Sequence, residues 1–535
     1  MKKFMKKARE SFKDNVDGNL SAAAGRQVPL RQNDTPTTRK PPSPVDVMRY
    51  RYQHGTNLGS IFVLEQWLYG SMFVAGAKGG SELDAVQASL KANGLDATRQ
   101  KWEAHWNSAV TGDDWNWLVN TAHCSTIRLP IGYFTLGPSY CSGTPFAGQN
   151  AQVYVNAWTS VRNFVAAARS HGIGVLIDFH AVPGGANPDE HSGTSSGKAE
   201  LWSNKQNLSL AQNCLVFIAQ QARTMDGVVG IELVNEATAN APGLYQFYDS
   251  VIGAISQVDS TMPVYISDGW DLNTAVTYSN GKNAWSTSTN PIVIDTHKYY
   301  CFADNDKKKS PQQIISGVSG ELSELNGREG DVFTHGAAQV VVDEYSCVLD
   351  EQTWSKVNSD QRPGLITQFG QAESKQWQAR SGGSTFWTFK MDWMDGGEWG
   401  FKQQTNNGNV YPPRNLTLSA ADVRSKISTA QSQQAGLKSA ASSAHRNYWS
   451  QQSPGQTFEF WRFDTGYDVG FADALAFFGT KVNGALPGTG GDKIGMLDLW
   501  VRKRIFESGQ AGSYVWEFEQ GLRQAIGESY RAMGV

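Results

Sequence analysis

Residues 228–236 read VVGIELVNE, a run of Val, Ile and Leu interrupted only by Gly230 and Glu232 and closed by Asn235 and Glu236. A strand with one face in water alternates apolar and polar residues, whereas a parallel strand covered on both faces reads as a near-continuous apolar run. This stretch is of the second kind, and its polar pair stands where the carboxyl end of such a strand would open outward. Similar runs recur on either side: GTNLGS (55–60), STIRLPI (125–131) and GVLIDFH (174–180) before it, and PVYISD (263–268), PIVIDTH (291–297), QVVVDEY (339–345) and GSTFWTF (383–389) after it. Together they make eight. Longer amphipathic stretches such as 151–170 and 209–225 lie between them, so the rhythm is strand, helix, strand. In an α/β chain that rhythm predicts a (β/α)8 TIM barrel. A doubly wound open sheet is the runner-up, with no GxGxxG after a strand to favour it.

The rhythm occupies only part of the 535 residues. Residues 1–48 hold a basic start, MKKFMKKARESF, and the Pro-rich TPTTRKPPSP; without helical or strand periodicity they predict a disordered arm. No apolar run of secretory or membrane-spanning length follows the basic start, so a cytoplasmic chain with a solvated tail is expected. The barrel is expected over 49–403. From 404 to 535 a helical C-terminal module is expected, with a long helix in the Ser/Ala/Gln-rich 417–445. An internal echo follows: Trp461, Phe463, Gly466 and Gly470 match Trp516, Phe518, Gly521 and Ala525. Small residues four apart predict two closely packed helices, with a structural role ahead of a sugar- or partner-binding one.

Composition narrows the function classes. With 47 basic against 50 acidic residues the net charge is −3, which gives no positive field for nucleic acid. The five cysteines are odd in number and scattered, with no CxxC, which argues against a disulfide framework or a zinc site. The 18 Trp and 18 Tyr are flat amphipathic rings of the kind on which sugar faces stack, although any one of them is equally well an ordinary core residue.

In a (β/α)8 barrel the site is built at the carboxyl ends of the strands. Those ends carry Arg128, His180, Asn235 with Glu236, His297 with Tyr299 beyond it, Glu344, and Trp387 on the last strand. Each alone could be a helix cap or a satisfied core group; six polar or aromatic strand ends together point to one site. Acetal cleavage near neutral pH needs an acid for the leaving oxygen and a carboxylate for the oxocarbenium-like centre. Glu236 and Glu344, on the fourth and seventh strands, supply the pair. Their environments must split, with the acid raised and the nucleophile kept ionised. Arg128 and Tyr299 are the donors that would hold Glu344, and Trp387 the stacking floor. Asn235 would face away from Glu236 on a regular strand, and a kinked end would let both reach a sugar. The two histidines lack HxH or HExxH spacing, so neither a metal nor an organic cofactor is called for.

These segments resemble glycoside hydrolase family 5, within it the fungal exo-β-1,3-glucanase group. The matching stretches are GTNLGSIFVLEQW (55–67), IRLPIGYF (127–134), LIDFHAVPGGAN (176–187), IELVNEA (231–237), DTHKYY (295–300), VVVDEYS (340–346) and FWTFKMD (386–392). The resemblance implies Glu236 as acid/base and Glu344 as nucleophile. It also implies a sugar subsite of Arg128, His180, Asn235, His297, Tyr299 and Trp387, and a contact from Glu65 to terminal glucose hydroxyls that would make attack exo. The chain departs from the secreted members at Asp343-Glu344-Tyr345, where they read G-E-W, and in the loop AVPGGANPDEHSG. With its Trp/Phe-rich C-terminal module, it looks like an intracellular branch of that group. The implied activity is a retaining exo-β-glucosidase or glucanase on β-1,3- or β-1,6-linked glucan oligosaccharides or a β-glucoside. A catalytically silent glucan-binding scaffold and a transglycosylase are the alternatives.

Overall fold

A computed structural model describes residues 40–535. Eight parallel strands close into a barrel in chain order. They are β1 (Gln53–Asn57), β2 (Thr126–Gly132), β3 (Gly174–Ala181), β4 (Val228–Glu232), β5 (Val264–Ser267), β6 (Ile292–Tyr300), β7 (Val340–Leu349) and β8 (Gly383–Phe386). All eight fall on the predicted runs, with ends shifted by a few residues. Helices Ala157–Ser170 and Lys205–Ala222 occupy two of the predicted amphipathic stretches. The expected arm over 1–48 lies mostly outside the described residues, but its last part is helix Pro44–Tyr50. Ser43 caps that helix by accepting from the Asp46 N–H while the Asp46 carboxylate accepts in return, and Pro44 opens its first turn. Such a capping box with a leading proline is a helix start legible in sequence, and the Pro-rich composition around it masked the signal.

Two apolar clusters organise the interior. One joins the outer faces of the strands to the surrounding helices and extends to Phe401 and Val410, so the barrel layer runs a little past residue 403. The other begins inside the barrel, at Leu176, Val229, Tyr265, Val293 and Val341, and continues into the C-terminal helices through Phe463, Phe471, Trp500 and Phe518. The C-terminal module therefore closes the amino-terminal floor of the barrel. Its long helix is Ala420–Gln452, and the echoed segments are helices Trp461–Gly479 and Val515–Ala532.

The close packing expected of that pair is present. A Cβ built on Gly466 would lie 2.1 Å from the Phe518 carbonyl oxygen, and one on Gly521 would lie 2.1 Å from that of Phe463. Only glycine lets the two backbones approach so near. Trp461 does not anchor the pair, being 55% exposed with the Arg462 guanidinium over its ring.

Candidate active site

Alternation along the strands turns every second residue into the barrel. On β3 this places Leu176 at the floor, Asp178 above it and His180 at the mouth; on β6 it places Val293, Asp295 and His297 in the same sequence. Arg128 on β2 is fully buried among the middle residues. Its guanidinium grips Glu232 with two nitrogens at 2.8 and 3.0 Å, meets Asp178 at 3.1 Å and Asp295 at 3.7 Å, and donates to Asn57 Oδ1 at 3.0 Å. Burial works against its charge, but the ring of carboxylates outweighs that and raises Arg128 further above its ordinary range. Glu232 is pushed the other way from a simple ion pair: burial, with Asp178 and Asp295 beside it, raises its carboxyl despite Arg128. One guanidinium cannot neutralise so many anions, so a proton is held among them.

Glu344 reaches the mouth because β7 is irregular. The pairing with β6 runs Thr296 to Val342 and then His297 to Glu344, passing over Asp343. A bulge of this kind re-aims the following side chain. Here it brings Glu344 beside His297 and turns Tyr345 outward against Phe386 and Trp377. Glu344 then accepts from Arg128 Nη1 at 2.8 Å and from the Tyr299 hydroxyl at 2.8 Å, the two donors the sequence nominates. Asp343, left inside the barrel, is raised to about 8 by burial and by Asp295.

The regular part of β4 ends at Glu232, short of the predicted 236. Beyond it the chain kinks, and Glu236 adopts a left-handed backbone with φ of 43°. This conformation is uncommon for a residue with a Cβ. It is fastened by Asn187 Nδ2, which donates to the Glu236 carbonyl at 3.0 Å. Asn235 and Glu236 consequently both face the mouth. Asn235 Oδ1 accepts from Arg128 at 2.7 Å. Glu236 Oε1 pairs with His297 Nδ1 at 2.8 Å and Oε2 with His191 Nε2 at 3.2 Å.

At rest Glu236 is not the raised carboxyl expected of the acid partner. Burial disfavours the Glu236 charge, but hydrogen bonds from His191 and His297, with their charges, hold the carboxyl well below the usual range. Burial likewise opposes charge on His297, yet Glu344 and Asp295 raise it well above the usual imidazole value. For His191, burial is overcome by the hydrogen bond and charge of Glu236, and the ring is pushed up to about 9.

His180 is fixed by Asp178, whose Oδ2 lies 2.7 Å from Nδ1, and the Trp387 ring lies parallel to it with centroids 5.9 Å apart. Glu65, in the loop after β1, accepts from Trp67 Nε1 at 2.9 Å. Burial raises its carboxyl, and the charges of His191 and His180 pull it back. It therefore stands near these histidines without a direct hydrogen bond to Glu236 or Glu344 among the described contacts. Aromatic rings continue outward: Trp399 packs on Tyr299, Phe302 and Trp67, and Trp67 on Trp393. Phe302 is 63% exposed.

One donor atom from each of Glu236, His297 and Glu344 falls within 4.8 Å of the others, and the same holds for Glu232, Asp295 and His297. His297 belongs to both groups with its two ring nitrogens already engaged by carboxylates, Nδ1 by Glu236 and Nε2 by Asp295 at 3.0 Å. A charged imidazole of this kind orients carboxylates; it has no lone pair for a metal.

The structure thus brings Arg128, His180, Asn235, Glu236, His297, Tyr299, Glu344 and Trp387 around one mouth, with Glu65 at its edge. Sequence reasoning missed Asp178 and Asp295, although each stands two residues before a named histidine and so shares its face. It missed Glu232 by treating it as an interruption of an apolar run, and His191 because loop residues carry no periodicity.

Residues 90–395 match the family model for cellulase, glycosyl hydrolase family 5, and residues 430–533 match that for the glucan 1,3-beta-glucosidase 3 C-terminal domain. The chain is 30% identical to an uncharacterized glycosyl hydrolase of Saccharomyces cerevisiae, over 97% of each chain. It is 31% identical to glucan 1,3-beta-glucosidase 3 of Schizosaccharomyces pombe, over 90% of this chain and 95% of that one. Among solved structures, rutinosidase from Aspergillus niger shares the fold with a TM-score of 0.52 at 18% identity, covering 68% of this chain and 99% of that one.

Proposed function

This chain belongs to glycosyl hydrolase family 5 and is a glycoside hydrolase, and from that premise we propose that it is a retaining, exo-acting β-glucosidase on β-1,3- or β-1,6-linked glucosides. The observation that carries the proposal is the facing pair Glu236 and Glu344, with carboxylate oxygens within 4.8 Å across His297. Retaining enzymes hold their two carboxyl groups about 5–5.5 Å apart, close enough for one to attack the anomeric carbon, whereas inverting ones leave room for a water.

In this reading Glu344 is the nucleophile. Arg128 and Tyr299 each donate to one of its oxygens, which fixes its aim. Glu236 gives its proton to the leaving oxygen and later takes one from the attacking water. Asn235 lies beside it to hydrogen-bond a sugar hydroxyl, Trp387 and His180 form a flat wall, and Glu65 at the rim supports exo attack by accepting from terminal hydroxyls. The similarity to a protein named glucan 1,3-beta-glucosidase 3 supports a glucan-type substrate.

Replacing Glu344 by Gln removes the attacking charge at nearly constant shape. Turnover of an aryl β-glucoside is expected to fall by roughly 10⁴-fold or more with unfolding temperature unchanged, and wild-type rates in that variant would overturn the assignment. NMR of the first-formed sugar tests retention: β-glucose is expected, and initial α-glucose would point to inversion.

A further inference from the structure

Both oxygens of Glu236 are bonded to histidine, and the two histidines are not equivalent. His297 is locked, with Asp295 on Nε2 and with Glu236 at 2.8 Å and Glu344 at 3.5 Å on Nδ1. Three carboxylates surround it, so its protons have no reason to leave. His191 comes from the turn Glu190–Ser192 in the loop after β3. Its Nε2 meets Glu236 Oε2 at 3.2 Å, while its Nδ1 is buried without a partner. An imidazolium wants two acceptors and a neutral imidazole only one donor bond, and this ring is placed between those requirements.

We propose that His191 is a positioning residue that shares one proton with Glu236 and supplies it, through Glu236, to the leaving oxygen. The inference rests on the reading of Glu236 as acid/base. At rest the proton is on Nε2 and Glu236 is a carboxylate. As the glycosidic oxygen arrives, the Nε2–H bond breaks and an O–H bond forms on Glu236. That proton passes to the leaving oxygen as the bond to the anomeric carbon breaks and Glu344 forms its ester. Glu236 is then a carboxylate beside a neutral His191. In the second step Glu236 takes a proton from water, hydroxide attacks the anomeric carbon, Glu344 departs as carboxylate, and the proton returns to Nε2. The cycle consumes one water and no net proton.

Several ionisable groups bear on the pair. Glu65 from the β1 loop, Glu344 from β7 and Asp189 of its own turn, at 3.8 Å from Nε2, favour the protonated ring. His180 from β3, with its ring centroid 5.2 Å away, and His297 from β6 complete the surroundings. The excess of carboxylates keeps the shared proton bound to alkaline pH, where a glutamic acid alone would have lost it.

The test is the pH dependence of kcat/KM for the full chain and for His191→Asn, on methyl β-glucoside, whose leaving group needs acid assistance, and on 2,4-dinitrophenyl β-glucoside, which does not. For the methyl glucoside the alkaline limb of the variant is expected at least one pH unit lower, about a tenfold loss above it, with a much smaller loss for the dinitrophenyl glucoside. Coincident alkaline limbs would overturn the inference, since a merely structural histidine lowers the rate without moving the limb. Glu236→Ala with added azide keeps the two readings apart. β-Glucosyl azide formation together with unmoved limbs defeats the role of His191 alone, whereas retained methyl glucoside turnover in Glu236→Ala defeats the acid/base reading beneath it.

Discussion

The mouth and the floor of the barrel both bury charge, and they do so in different ways. At the floor, charges tie pieces of chain together. Arg523 lies 2.7 Å from both Asp498 and Glu519. Those carboxylates accept backbone N–H groups of Gly330, Val332, Phe333 and Ala338 just before β7. At the mouth, Arg128 faces Asp178, Glu232, Asp295 and Glu344 together, and pKa values move in opposite directions within a few ångströms. A structural cluster spreads its anions over backbone donors; a reactive one crowds them so that a proton has to be shared. The contrast marks the mouth as the candidate reactive end of the barrel without reference to any substrate.

Removing the central cation at each end is the sharpest way to break this comparison. Arg128→Met leaves several buried carboxylates uncompensated, so a stability loss of about 3–5 kcal/mol is expected together with loss of turnover. Arg523→Met should cost a comparable amount in denaturant unfolding while the folded fraction keeps kcat/KM within about threefold, as distant sites act independently. Equal catalytic losses in the two variants would erase the distinction. A smaller effect, confined to the floor, is expected of Gly521→Ala. The added methyl meets the Phe463 carbonyl at 2.1 Å, so the helices must part at a cost of about 1–3 kcal/mol, read as a lower unfolding temperature with catalysis retained.

The smallest effect sharpens the comparison at a third place, the helix Arg362–Arg380. Glu373 there is fully buried with neither carboxylate oxygen hydrogen-bonded. Burial, and then Glu321, raise its pKa well above 4.5. The folded state therefore holds a proton that the unfolded chain releases, and stability declines as pH rises from the unfolded value toward the folded one. Glu373→Gln should remove that slope and gain on the order of 1 kcal/mol at pH 7, measured as unfolding temperature against pH. An unchanged slope would mean that Glu373 is ionised and compensated.

The fold was legible because covered parallel strands leave apolar runs that survive any loop sequence. The candidate site was legible where its residues close or follow an apolar run, which is why Glu236, Glu344 and Tyr299 could be named, while Arg128 stood out as a lone cation within one. Two kinds of residue were not. Asp178, Asp295 and Glu232 interrupt apolar runs, where a carboxylate reads as a blemish unless its partner Arg128 is seen across the barrel. His191 owes its place to a loop whose path follows from tertiary contacts. The bulge at Asp343 was hidden too, since strand alternation alone would turn either Asp343 or Glu344 inward and cannot choose both.

The floor has a consequence for how the chain assembles. The Tyr52 N–H donates to Lys493, the Gly495 and Met496 N–H groups donate to Tyr50, and Arg51 bridges to Asp492 at 3.3 Å. The approach to the first strand is thus completed by residues more than four hundred positions later. On a ribosome those partners emerge long after the first strand, and closing so long a loop is slow. The barrel must wait, with its first strand half dressed, until residues 492–496 have been made.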